Sequence, residues 1–242
     1  MRLDKVLSSQ GTASRKDVKK IIKKGRVTVD GEIIKDSAFQ LNPEKSVILI
    51  DGQKLDYSEH VYYMMNKPQG VLSASRDPKR ETVVSLLPDE WKRDGLFPAG
   101  RLDADTTGFV LITDDGDFAH RILSPKNHVW KTYLVSLEHP ITVEERDIIE
   151  GGMTLEDGTE CRNSHMAPVP EKECQVYLAI CEGKYHQVKR MFAVVGNNVT
   201  ALKRVAMGGV KLDKSLKPGE SRPLTATEVA QIEENEDFLL SF

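Results

Sequence analysis

Aromatic residues are scarce, cysteine occurs three times, and no apolar run nears the roughly 20 residues that a membrane-spanning helix needs. Cys161, Cys174 and Cys181 are odd in number and lack the close spacing of metal ligands, which argues against a disulfide framework and a cysteine-built metal site. They read as reduced thiols. The opening Met1-Arg2-Leu3-Asp4-Lys5 leads into no extended apolar signal-peptide core, so the expected compartment is the cytoplasm, away from membranes. A glycine-rich phosphate cradle is also missing. Nor is there an overall excess of positive charge, the formal net charge being −3.

That last deficit hides a division. Residues 1–35 hold ten Lys and Arg against four Asp and Glu, a net of +6, which leaves −9 for residues 36–242. Such asymmetry suggests a small basic binding module on a larger body. Within the basic part, Ser14 reads as the cap of a helix whose apolar positions are Val18, Ile21 and Ile22, and Gly25 stops it. Arg15, Lys16, Lys19, Lys20, Lys23 and Lys24 crowd its other faces. Arg26 opens a hairpin that turns at Asp30-Gly31, and Val47–Ile50 supplies a further strand before Asp51-Gly52. A run of Lys is often no more than a solvated helix face. Helix, glycine and hairpin in this order favour a phosphate grip instead, with Arg2, Lys5 and Arg26 added to the six helix cations. The polar segment Asp56-Tyr57-Ser58-Glu59-His60 reads as a linker, giving domains at 1–58 and 61–242.

The larger part begins with a strand at Val61–Met65 that runs into Asn66-Lys67-Pro68-Gln69-Gly70, where Pro and Gly force a turn. Thr82–Leu87 reads as a short helix. The densest chemistry lies at Gly100-Arg101-Leu102-Asp103-Ala104-Asp105-Thr106-Thr107-Gly108, followed by the apolar run Phe109–Thr113 and by Asp114-Asp115-Gly116. Carboxylates on a turn against a buried strand are rigidly aimed. Asp103 and Asp105 imitate the start of a calcium loop, but Thr107, Leu111 and Asp114 stand where such a loop needs an acid, an oxygen donor and a Glu, so no metal is expected. Asp103 then either caps a turn or does chemistry.

Further along, a helix is expected at Asp117–Leu123, closed by Ser124-Pro125, and a strand at Val129–Leu137 that puts Lys131, Tyr133 and Val135 on one face. Thr142–Glu150 reads as a helix, 153–173 as loop, Cys174–Cys181 as a strand. Glu182-Gly183-Lys184-Tyr185-His186-Gln187-Val188-Lys189-Arg190-Met191 reads as a turn into a basic helix, with His186 capping or hydrogen bonding. Val199–Gly208 is another strand, and Thr225 with Glu228 has capping-box spacing.

These motifs together resemble the RsuA-type pseudouridine synthases, and residues 1–58 resemble the S4 RNA-binding module that precedes the catalytic domain there. The resemblance covers nearly the whole chain. It implies an α+β fold: a small S4-like domain, then a catalytic domain with a mixed, mainly antiparallel sheet flanked by helices. It implies a cofactor-free isomerisation of uridine to pseudouridine in ribosomal RNA, with Asp103 as the catalytic carboxylate. Tyr133 would lie against the target base, Leu202 would pack beside it, and Arg101 would fill the space left by the flipped nucleotide. Lys189 stands where distant synthases carry an Arg that pairs with the acid. Asp105 is expected to fix the turn. The signatures look most like those of the small-subunit branch, which implies a uridine-516 type site in 16S rRNA and a protein acting as a monomer. A 23S rRNA enzyme of the same family, and a non-catalytic S4-type ribosome-assembly protein, are the competing readings.

Overall fold

The structure is a computed structural model, and it describes residues 1–124, 126–127 and 129–234. Pro125, expected to close the helix that ends at Leu123, lies outside the described residues. Contacts divide the chain into two units: Met1–Val61 together with Leu87–Leu96, and Tyr62–Leu86 together with the described residues from Phe97 onward.

The first unit opens with α1 (Leu3–Ser9) and α2 (Arg15–Lys23). Ser14 caps α2 by accepting from the Asp17 amide, as its position before an amphipathic run dictates. Leu3, Val6 and Leu7 recur at helical spacing, and they pack with Val18 and Ile22 of α2 over Val27, Val29 and Ile48. Those last residues belong to a four-stranded sheet of β1 (Val27–Val29), β2 (Glu32–Ile33), β3 (Ile48–Ile50) and β4 (Gln53–Lys54), in the order β2-β1-β3-β4. Both hairpin turns, Asp30-Gly31 and Asp51-Gly52, have positive φ at both residues, the geometry that matches strand twist. Arg93, from the segment Leu87–Leu96, donates to the Ser58 and Glu59 carbonyls at 3.0 and 2.8 Å.

The second unit contains β5 (Tyr62–Lys67), β6 (Phe97–Pro98), β7 (Thr107–Thr113), α3 (Gly116–Leu123), β8 (Lys131–Leu137), α4 (Val143–Glu150), β9 (Met153–Thr154), β10 (Glu160–Cys161), β11 (His165–Val169), β12 (Lys172–Ile180), α5 (Gln187–Val194), β13 (Val199–Met207), β14 (Val210–Lys211), β15 (Ser221–Pro223) and α6 (Ala226–Ile232). Its main sheet, of nine strands among the described residues, runs β11-β12-β8-β13-β7-β5-β15, with β14 beside β13 and β6 beside β7. The β13–β7 pair is parallel and the other pairings are antiparallel, which makes the sheet mixed and mainly antiparallel. Phe118, Ala119 and Ile122 of α3 and Ile232 of α6 pack with Met64, Phe109, Leu111 and Met207 in one apolar cluster. Val188, Met191 and Phe192 bury the apolar side of α5.

Two elements differ from the sequence reading. Thr82–Leu87 is a turn, with a bridge from Thr82 to Leu72, and not a helix. The Thr82 and Ser85 side chains bond each other's backbone amides and so offer that stretch an alternative to helical pairing. The stretch 153–173, expected to be loop, contains the β9–β10 hairpin and β11, which pairs with β12 through a tight turn carrying Glu171 at φ 60°. Pro168 is tolerated in β11 because that strand is the edge of the sheet.

Candidate active site

The acidic turn between β6 and β7 is held from below by the end of β5 and the segment that follows it. Lys67 is fully buried, and its ammonium donates to the Thr106 carbonyl at 2.8 Å, Pro68 at 3.1 Å and Ala104 at 3.2 Å. The Gly70 amide donates to the Ala104 carbonyl at 2.7 Å. Buried Ser73 accepts from the Leu102 amide and donates to the Leu102 carbonyl, both at 3.0 Å. Every residue from Leu102 to Thr106 is thus tied directly or through its neighbour, and the side chains of Asp103 and Asp105 are left to face outward.

The opposite wall is built from β8, β13 and the turn into α5. In that turn Gln187 accepts from the Lys184 amide at 3.0 Å and donates to Glu182 at 2.6 Å. Glu182 also accepts from the Arg162 amide at 3.0 Å, so a buried carboxylate fixes the turn. Asp103 meets two cationic or protonatable groups here. Its Oδ1 is 3.5 Å from His186 Nε2, and its Oδ2 is 3.7 Å from the Lys189 ammonium. The shorter contacts of Lys189 are to both oxygens of Asp105, at 2.6 and 2.7 Å. That bond holds the Asp105 carboxyl below the usual carboxylate range, with the His186 charge a smaller contributor.

A small cleft of about 60 Å³ is lined by Arg101, Asp103, Thr106, Tyr133, Val188 and Leu202, among others. An adjoining cleft of about 690 Å³ is lined by Ser73, Asp77, Arg80, Lys184 and Tyr185, and it shares Arg101, Asp103 and His186 with the first. Asp103 therefore stands where a narrow recess opens into a broader one.

The structure brings Arg101, Asp103, Tyr133 and Leu202 to one recess and sets Lys189 beside the same acid. It sharpens the sequence reading in two particulars. Lys189 is bonded chiefly to Asp105, so Asp105 ties the turn to α5 and does more than shape the turn. His186 occupies the N-cap position of α5 but makes no side-chain cap, and its ring turns to Asp103 instead. The nine basic residues expected to grip phosphates, Arg2, Lys5, Arg15, Lys16, Lys19, Lys20, Lys23, Lys24 and Arg26, are all exposed. Three of them already carry partners: Arg2 bonds Asp4 at 2.9 Å, Lys20 bonds Asp17 at 2.8 Å, and Arg26 pairs with Asp51.

Lys67, Ser73 and Gln187 hold the site; Lys67 and Gln187 lie within the motifs at 66–70 and 182–191, the first of which the resemblance implies supports the active-site loop, while Ser73 lies outside any motif. The strand was read as ending at Met65, which put Lys67 in the turn when it is the last residue of β5.

A second buried lysine lies beside the recess. Lys131, two residues before Tyr133 on β8, is pushed down to about 8 by burial and, secondarily, by the charge of Arg204. Arg204 is the cross-strand partner of Tyr133, and its Nε donates to the Phe109 carbonyl at 2.7 Å. Lys67 is likewise pushed down to about 8 by burial, against the opposing pull of Asp105 and Asp103. Because both lysines release their protons near pH 8 when folded and near 10.5 when unfolded, the unfolded chain binds more protons across that window. Stability must then rise with pH there. Urea midpoints at pH 7.5 and 9.5 are expected to show a gain of about 1–2 kcal/mol for each lysine, and Lys131→Met is expected to remove its share. A flat or falling profile would contradict the burial assigned to these ammoniums.

With this geometry in place, comparison with known proteins is specific. Residues 61–194 match the family model described as RNA pseudouridylate synthase, and residues 1–47 match the S4 domain. YtzG of Bacillus subtilis, an RNA pseudouridine synthase by name, is 48% identical over 97% of this chain and 99% of its own length. Ribosomal small subunit pseudouridine synthase A of Escherichia coli is 46% identical over 96% of this chain and 100% of its own. A crystal structure of a pseudouridylate synthase, 38% identical, superposes with a TM-score of 0.66 over 96% of this chain and 99% of that one.

Proposed function

Because the chain belongs to the RNA pseudouridylate synthase family and carries an S4 domain, we propose that it converts one uridine of 16S ribosomal RNA, at the uridine-516 type site, to pseudouridine without a cofactor. The observation that carries this reading is the shared recess: Asp103, Tyr133 and Leu202 line one cleft, and two protonatable groups lie within 3.7 Å of the acid.

The reaction breaks the bond from uracil N1 to ribose C1′, turns the base, and forms a bond from C5 to C1′. No atom is gained or lost overall except that the C5 proton leaves and a proton returns to N1. A carboxylate can serve by attacking C1′, by adding to the base, or by taking a sugar proton, and each route needs it held against the nucleoside in a recess that excludes water. Lys67, Gly70 and Ser73 hold Asp103 in that way. Tyr133 supplies a flat wall against which the detached base can lie while it turns, with Leu202 bounding the recess. Arg101, exposed at the mouth of both clefts, is placed to occupy the gap in the RNA stack or to meet a phosphate. Lys189 and His186 set positive or protonatable groups against the acid. The basic face of α2, with Arg2, Lys5 and Arg26, supplies sequence-independent grips on the RNA backbone.

The choice of small-subunit RNA is supported by the 46% identity to the E. coli enzyme over its whole length. Mapping pseudouridines in 16S and 23S rRNA from cells with and without this protein tests it. Loss of a single modification in 16S rRNA is expected. Loss confined to 23S rRNA would overturn the target, and full retention of both sets would overturn the activity.

A further inference from the structure

Tyr185 is the most exposed large apolar side chain among the described residues, at 75%, and it stands on the rim of the broad cleft that opens from Asp103. A lone exposed ring is ordinary and needs no explanation. This one is held in an unusual way. Its ring is stacked on that of His186, with centroids 3.8 Å apart and planes 19° from parallel. Neighbouring residues normally direct their side chains apart. Here His186 adopts φ 50°, in the left-handed region that non-glycine residues seldom occupy, and such strained residues cluster at functional sites. The Tyr185 carbonyl accepts from Arg190 at 3.3 Å, and Arg190 pairs with Asp157. The far side of the pair reaches the acid, since His186 Nε2 lies 3.5 Å from Asp103.

The result is a two-ring stack that starts at the catalytic turn and presents a flat outer face to solvent. Arg80, Arg101 and Lys184 line the same cleft beside Asp77 and Asp103, with Lys184 paired to Glu182 at 3.2 Å, so Arg80 and Arg101 are the cations placed to meet a nucleic-acid backbone. We infer that Tyr185 and His186 form a subsite for a nucleobase adjacent to the target uridine, which stacks on the outer face of Tyr185 as a third layer. The inference rests on the proposed activity and adds to it where the neighbouring nucleotide goes. Extruding a uridine from its stack strips its neighbours of a stacking partner. An exposed ring replaces that contact without reading sequence, because every base has a π-face.

The test uses the full-length protein with a 16S rRNA fragment carrying 2-aminopurine at the nucleotide before or after the target uridine. Removal of one stacked base is worth about tenfold or more in affinity. Tyr185→Ala is therefore expected to raise KM and Kd about tenfold, with the single-turnover rate at saturating RNA falling less than threefold. Tyr185→Phe and Tyr185→Trp should bind as the wild type does, because the ring and not the hydroxyl is the contact. Wild-type binding should change 2-aminopurine emission at one flanking position, and Tyr185→Ala should abolish that change. If Tyr185→Ala forms pseudouridine with unchanged KM and an unchanged emission signal, the subsite does not exist. If Tyr185→Phe is as impaired as Tyr185→Ala, the hydroxyl is the contact and stacking is refuted. Absence of pseudouridine with the wild-type protein would instead indict the proposed activity itself.

Discussion

Gly108→Ala is expected to destabilise the second unit by about 3–6 kcal/mol and to leave most of the protein without a working site. Gly108 has φ +97°, and a Cβ built on it would lie 2.2 Å from the Arg204 carbonyl oxygen, 2.9 Å from the Arg204 amide nitrogen and 2.9 Å from Lys203 Cγ. The obstacles are chiefly the backbone of β13, which runs parallel to β7 at this point. No side-chain rotation relieves such an approach, so β7 and β13 would have to separate where Thr106 and Leu202 form the recess. The same substitution at Gly116 provides the control. Gly116 opens α3, meets nothing within 4 Å, and has no positive φ, so Ala there is expected to be neutral or stabilising by up to about 1 kcal/mol. Thermal and urea unfolding of the two variants checks both signs, and equal effects would mean that the β7–β13 approach is looser than described.

The largest chemical effect is expected at Asp103. Asp103→Asn keeps the shape and the hydrogen-bonding reach of the side chain and removes its charge and its capacity to act as a nucleophile or to take up a proton. Pseudouridine formation should fall by at least about 10⁴-fold, the scale seen when a reacting group is lost, while RNA affinity stays within a few-fold. Among the described residues, neither Asp105 nor Asp77 is placed to substitute. Asp105 has both oxygens on Lys189. Asp77 spends Oδ1 on the Lys79 and Arg80 amides, which hold its carboxyl below the usual range.

Much of this was legible in the chain. Ser14 before an amphipathic basic run, Asp-Gly at two hairpin turns, and Thr225 with Glu228 each act through local backbone chemistry, and each forms as its residues dictate. The buried strands were legible as short apolar runs, as in β7, or as a period-two face, as in β8. The site was legible as three separate motifs, at 66–70, 100–108 and 182–191, although nothing in their spacing says that they converge. Convergence is set by the parallel β13–β7 pair and by β5 beside β7, long-range pairings that no local pattern encodes. That is also why the part Lys67 plays within its motif is not readable locally. Its value depends on three carbonyls, two of which lie 37 and 39 residues away. The Lys189–Asp105 bond was missed for a related reason. Two acids two residues apart on a turn are equivalent in sequence, and only the pose of α5 decides which one takes the ammonium. For His186 the sequence leaves capping and hydrogen bonding both open, and the left-handed backbone there turns its ring toward the acid.

The most direct measurement is the single-turnover rate of pseudouridine formation on one 16S rRNA fragment, taken side by side for Asp103→Asn and Asp105→Asn with RNA affinity recorded on the same preparations. If Asp103 is the reacting group and Asp105 its structural neighbour, the first variant binds and forms no measurable product, and the second retains turnover within about thirtyfold of wild type. Product from Asp103→Asn, or equal silence from Asp105→Asn at undiminished affinity, would place the chemistry on a different carboxylate.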